Sequence, residues 1–184
     1  VALFRRDYLQ VVLDPWAYQV MVWFLGNPTG FTITAHCPNG EYGTLSARVV
    51  TGKLRVRPYW QGDRPAFRVE ATSRVNVTRS ACRTGAVEDA DVRDQLEQAL
   101  SDDLRQRIEH FIEIMQTRVA DPVGFGKHAQ LAFPQFYKKM EDKWGEEVWI
   151  DTPVEVVARV TITQVGLVTG PVHPTERELR EGKQ

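Results

Sequence analysis

The sequence predicts an α+β fold: a curved, mostly antiparallel sheet wrapped round one long helix, with shorter flanking helices. Three observations carry this. Residues 89–119 contain neither Pro nor Gly and are rich in Ala, Leu, Glu, Gln and Arg, the strong helix formers. Their apolar members are Val92, Leu96, Ala99, Leu100, Leu104, Ile108, Phe111, Ile112, Met115 and Val119. Several recur at steps of four, each about 40° past a full turn, so the stripe drifts round the helix. A twisted sheet curled about the rod suits a drifting stripe. A helix covered by two separate layers is the alternative. The third observation is period-two alternation in four segments between residues 31 and 78 and in one over 154–163. That pattern gives strands one buried and one wet face.

At 1.5 Å per residue the long helix measures about 43 Å. It would cross a globule of this length, whose radius of gyration is about 16 Å. The 184 residues fit one domain over 1–172 with a polar tail over 173–184. A net charge of −1 selects no partner class. No apolar run reaches the roughly 18 residues of a membrane span. The chain opens on Val1 without a visible signal peptide and is read as a piece of a longer precursor.

In order along the chain, residues 1–4 and 8–13 read as two short strands about a turn at Arg5, Arg6 and Asp7. Asp14 and Pro15 cap and open a helix that runs to Leu25 and stops at Gly26. Its Trp16, Val20 and Phe24 share a face, widened by Met21, Val22 and Trp23. Strands follow over 31–37, 44–49, 53–57 and 67–78, joined by Pro38-Asn39-Gly40, Thr51-Gly52 and Gly62-Asp63, so a meander is expected. After the long helix the chain breaks at Asp121-Pro122 and resumes towards Phe133. Pro134 opens another helix, which Trp144-Gly145 stops. The strand over 154–163 then returns to the sheet beside an earlier strand.

Cys37 and Cys82 are too few for a disulfide framework or a metal site. They can pair in an oxidising compartment, but free buried thiols are the favoured expectation. Charge is divided unevenly. Residues 48–83 hold nine Lys or Arg and two acids, whereas residues 86–117 hold nine acids and three Arg. The outer sheet face, with Lys53, Arg55, Arg57, Arg68 and Arg74, is therefore basic. It reads either as a solvated, aggregation-resistant surface or as a docking face for an acidic partner or anionic headgroups. Nucleic acid is disfavoured: Tyr59, Trp60 and Phe67 are the only aromatics of this block near the basic face and Phe67 points inward, whereas a stacking platform needs outward aromatics.

Catalytic signatures are missing: no G-x-S-x-G elbow, no Walker loop, no H-E-x-x-H. Gly124-Phe125-Gly126 lacks the third glycine of a nucleotide fingerprint and redirects the chain instead. His36, His110, His128 and His173 are scattered without a second ligand at metal spacing. No catalytic residue, cofactor or metal is expected.

One ordered set of residues is less generic: Gln116, Asp121-Pro122-Val123-Gly124-Phe125-Gly126, Phe133-Pro134, Trp144 and a valine-alternating strand ending in Gln164-Val165-Gly166-Leu167-Val168. In this order and spacing it resembles the C-terminal domain of the Ger(x)C (GerAC-type) spore germination receptor lipoproteins, the C subunits of nutrient germinant receptors. Ala2-Leu3-Phe4-Arg5, the segment from Leu9 to Leu13, and Trp23 resemble that family too. The resemblance implies a non-catalytic domain acting through protein–protein contacts. It implies a full-length lipoprotein anchored at the outer face of the spore inner membrane, with the A- and B-type membrane subunits as partners. Neither Cys37 nor Cys82 is the lipid-bearing residue. An acidic residue expected after Asn76-Val77 is replaced by Thr78-Arg79. Gln116, Asp121, Gly124, Phe125, Gly126, Pro134 and Trp144 carry over as interaction or architectural positions. The alternative is a small-ligand module binding a germinant or an ion.

Overall fold

The computed structural model describes residues 1–5, 7–26, 30–38, 42–82 and 89–165. The chain runs through β1 (Ala2–Arg5), β2 (Tyr8–Val12), α1 (Pro15–Phe24), β3 (Thr32–His36), β4 (Thr44–Gln61) and β5 (Arg64–Ser80). It continues through α2 (Ala90–Thr117), α3 (Phe125–Ala132), α4 (Pro134–Met140), three single turns and β6 (Val154–Val165). The expected tail, the Gly166-Leu167-Val168 end of the motif, Arg6 of the first expected turn and Asn39-Gly40 lie outside the described residues.

Local chemistry starts the helices where the sequence places them. Asp14 accepts the amide of Ala17 at 3.1 Å and Pro15 opens α1. Asp89 accepts the amide of Asp91 at 3.0 Å and opens α2. Both carboxylates satisfy amides that the first turn leaves without a partner.

The main sheet has the order β3-β4-β5-β6. The pairs β3–β4 and β4–β5 are antiparallel, as a meander requires. The β5–β6 pair is parallel. Parallel neighbours need a long crossover, and α2 lies within it. The expected break at Thr51-Gly52 is absent. β4 is one strand, and the register shift between Val49 and Thr51 absorbs the irregularity as a bulge. The tight turn between β4 and β5 holds Gly62 at φ 62°, a conformation that favours glycine.

The sheet curls round α2, and hydrogen bonds to both of its edges show how. Arg107 on α2 donates to the Thr34 carbonyl of β3 at 3.1 Å. On the opposite edge, Ser101 accepts the Val160 amide at 2.9 Å and Glu97 accepts the Ile162 amide at 2.8 Å. Edge strands leave peptide groups open for unwanted pairing, and one helix covers groups on both edges here. Leu100, Ile108, Phe111 and Met115 on α2 are fully buried against Leu45, Ala47, Val69, Val75 and Val77 of the sheet. Each such side chain contributes about 1.5–3 kcal/mol of burial. α1 covers another part of the core through Ala17, Val20, Met21 and Trp23, while exposed His110 stacks on Trp16 at 5.1 Å.

The expectation of free thiols is wrong: Cys37 and Cys82 form a disulfide with Cα atoms 5.4 Å apart. Each cysteine follows a strand that flanks β4, so the meander carries both to the same end of the sheet. Gly43 sits beneath the bond, and a Cβ there would lie 3.1 Å from the Cys37 sulfur and 2.8 Å from the Ala81 carbonyl oxygen. A second correction concerns Trp144-Gly145. These residues do not stop the chain's helical course, which continues as a π-helical turn, Trp144–Val148, and a 3₁₀ turn, Trp149–Asp151.

Candidate functional site

The motif positions meet at the junction between α2, α3 and the turns before β6. Asp121 is its centre. One carboxylate oxygen accepts the amides of Gly124 at 2.9 Å and Phe125 at 2.7 Å, and the other accepts Gly126 at 2.6 Å. These donors are amides at the α3 N-terminus, where negative charge is favoured. Gly124 sits at φ 83°, which turns the chain into the helix.

Gln116, in the last turn of α2, donates to the carbonyls of Trp149 at 2.9 Å and Thr152 at 2.8 Å. The Trp149 indole donates back to the Ala120 carbonyl at 2.8 Å. Two segments distant in sequence are thus clamped in both directions. Between them, α2 ends in a reverse-bonded cap: Ala120 donates to Met115 and Val119 to Gln116. Val119 occupies the left-handed position at φ 53°, unusual for a β-branched residue and a local strain. It was expected on the buried helix face and instead lies beyond the helix end.

Phe125 is fully buried and stacks on Trp149 at 4.6 Å, with Phe67 at 5.0 Å and Phe24 at 5.8 Å. Gly126 lies against the Trp144 indole, and a Cβ there would come within 2.8 Å of the ring nitrogen. Pro134 is the first residue of α4 and is exposed. Trp60 near the β4–β5 turn packs on Phe133 at 4.6 Å and Phe136 at 5.3 Å, which fixes the α3–α4 corner. The structure therefore brings Gln116, Asp121, Gly124, Phe125, Gly126 and Trp144 into one structural lock.

Beside the lock opens a cleft of about 380 Å³. Phe4, Gln10, Asp121, Tyr137, Glu141 and Trp144 contribute to its walls. Burial raises the Tyr137 pKa above the ordinary phenol value, with further increments from Glu141 and Asp121. Burial lowers the His128 pKa, against an opposing pull from Asp121.

The cleft borders the β1–β2 ribbon, whose outer side is apolar. Phe4 pairs with Leu9 and Ala2 with Val12 across the two strands. Phe4 is 63%, Leu9 53% and Val12 66% exposed on that side, while Tyr8, paired with Arg5, alternates to the other. Leu3 and Val11 point the other way and pack on the core. A contiguous exposed set of large apolar residues marks a contact surface more often than solvent-facing decoration.

The outer face of the main sheet is lined with cations. Lys53, Arg55 and Arg57 on β4 and Arg68 and Arg74 on β5 are exposed, joined by Arg48 and by Arg159 on β6. Arg57 pairs with Glu70 at 3.0 Å, and Arg68 with Glu155 at 2.9 Å. The bond from Glu155 raises the Arg68 pKa further. Arg74 donates to the Thr51 hydroxyl at 3.2 Å. Among the described residues, no group of three or more His, Cys, Asp or Glu could hold a metal ion.

Sequence reasoning missed Trp149, Ser101, Glu97 and the apolar ribbon. Ser101 and Glu97 had a faint signal, polar residues beside an apolar stripe. Trp149 had none that separated it from the other tryptophans.

The family described as "Spore germination B3/GerAC like, C-terminal" matches residues 1–166. Spore germination protein KC of Bacillus subtilis (strain 168) is 24% identical over 138 residues, covering 73% of this chain and 34% of the relative. Spore germination protein YndF of the same organism is 22% identical over 157 residues, covering 85% of this chain and 38% of the relative. The chain thus spans well under half the length of these curated relatives. The crystal structure of the GerBC protein shares the fold with a TM-score of 0.71 at 16% identity, covering 85% of this chain and 48% of that one.

Proposed function

Because the chain belongs to the spore germination B3/GerAC-like C-terminal family, we propose that it is a non-catalytic C-subunit domain of a nutrient germinant receptor. It acts in germination through protein–protein contacts at the spore inner membrane. Its partners are the A- and B-type membrane subunits, and the full-length protein is held at the outer face of that membrane by a lipid anchor. The observation that carries this reading is the exposed apolar side of the β1–β2 ribbon, with Phe4, Leu9 and Val12 more than half exposed. Burying such side chains is the main source of affinity between proteins, and aromatic residues dominate it.

Co-purification of the membrane subunits with the domain tests the reading. Wild-type protein should retain them. A Phe4→Ser, Leu9→Ser, Val12→Ser variant, shown to be folded, should lose them. Retention by the variant would remove the ribbon from the interface, and no retention by folded wild type would count against the whole reading.

A second reading, a small-ligand module for a germinant or an ion, is favoured by the cleft at Phe4, Tyr137, Glu141 and Trp144. A ligand bound only by the native state raises the unfolding midpoint. A panel of candidate nutrients in a thermal-shift assay separates the two readings.

A further inference from the structure

The outer face of the main sheet carries a charge imbalance that folding does not require. Lys53, Arg55 and Arg57 project from β4, Arg68 and Arg74 from β5, and Arg159 from β6. They are exposed together with Val50 and Val157, which lie 45% and 46% exposed. Register places Lys53 opposite Thr72, Arg74 opposite Thr161, and Arg159 opposite Thr72. No acid therefore faces these three directly across the strands. Among the described residues, only Glu70, which lies opposite Arg55, and Glu155 interrupt the field, and they are ion-paired with Arg57 and Arg68.

The opposite charge sits across the sheet. α2 carries seven carboxylates against three arginines. The domain is thus polar, with cations on one side and anions on the other. Solubility alone is served by interspersed signs, whereas a single-sign field attracts a charged partner.

The chemistry of the face selects among partners. Protein interfaces have apolar, aromatic centres depleted in charged residues. This face has cations and threonines at its centre. Successive outward residues stand about 7 Å apart along a strand, and strands about 4.8 Å apart. That makes a broad array of cations suited to a layer of anionic groups, and the pocket on this face, lined by Arg57, Tyr59, Arg68 and Glu155, takes in none of Lys53, Arg55, Arg74 and Arg159.

We propose that the outer face of β4, β5 and β6 docks on an anionic lipid headgroup layer through Lys53, Arg55, Arg74 and Arg159, with α2 directed away from it. The docking is electrostatic, shallow and independent of any lipid anchor. It does not depend on the protein partners proposed for the ribbon, and its test uses no partner protein.

The test is co-sedimentation of the chain with phosphatidylglycerol–phosphatidylcholine vesicles and with phosphatidylcholine vesicles, at low and at raised salt. Binding should appear with phosphatidylglycerol only and weaken as salt rises. Each basic residue near such a surface strengthens partition by about fivefold. A Lys53→Glu, Arg55→Glu, Arg159→Glu variant should therefore lose at least about a hundredfold in partition. The milder Lys53→Gln, Arg55→Gln, Arg159→Gln variant keeps the test decisive if the reversals disturb folding, and it should also weaken binding. Arg105→Glu on α2 should bind as wild type. Equal sedimentation with both vesicle types, or unchanged binding by the folded glutamine variant, would overturn the proposal. So would capture of an acidic protein through this face without vesicle binding, or self-association through it in analytical ultracentrifugation.

Discussion

Asp121→Ala is the most informative single perturbation of the lock. It removes the acceptor for three amides held at 2.9, 2.7 and 2.6 Å. Two of them belong to Phe125 and Gly126, which are buried, so water cannot readily replace the carboxylate. An ordinary helix cap is worth about 0.5–2 kcal/mol. A charged acceptor serving buried donors lies at the upper end or above it, and about 3 kcal/mol is expected. For a chain of this size that lowers the midpoint by roughly 6–12 °C. Asp121→Asn should cost about half as much, since one oxygen still accepts while the amide group opposes the remaining donor. Urea unfolding followed by far-UV circular dichroism gives the free energy. Near-UV circular dichroism reports the stacking of Phe125 on Trp149, set at 4.6 Å. A loss below about 0.5 kcal/mol with an unchanged near-UV spectrum would refute the reasoning, because the three amides would then have other partners.

Gly126→Ala drives a methyl group to within 2.8 Å of the Trp144 ring nitrogen. Overpacking of this kind costs about 1–3 kcal/mol, readable in the same urea titration. Replacing Cys37 and Cys82 by Ser, a pair 45 residues apart, should cost up to about 4 kcal/mol, with reductant giving a similar loss in wild type. His128 has its pKa lowered by burial, so its neutral form is the one the fold prefers. Its contribution is present above the unfolded value near 6.5 and is lost as pH falls through the lower folded value. Denaturation curves recorded as the pH is lowered from about 6.5 should show a shallower acid loss for His128→Gln than for wild type.

Much of the architecture was legible because local chemistry and the global fold agree. Asp14, Asp89 and Pro134 fix helix starts, and clean alternation over residues 67–78 fixes which side of β5 is buried. The drift of the α2 stripe pointed to a curled sheet, and its bonds to β3 and β6 show that wrap. Where pairing is non-local, the sequence was less informative. The union of Cys37 with Cys82 depends on strand order, which residue preferences do not encode. The bulge at Val50 was read as a turn because Thr51-Gly52 carries turn chemistry, yet flanking strands long enough to pair overrode it. Of the site, the Asp121 motif was visible as a pattern. Its partner Trp149 was not, because an indole N–H bond to a carbonyl 29 residues away leaves no periodic trace.

The most direct measurement is amide hydrogen exchange of the chain, alone and with the membrane subunits proposed as its partners. The account predicts slowed exchange across residues 1–12 on complex formation, with residues of α2 unchanged. Formation of the complex with no added protection in that ribbon would contradict it.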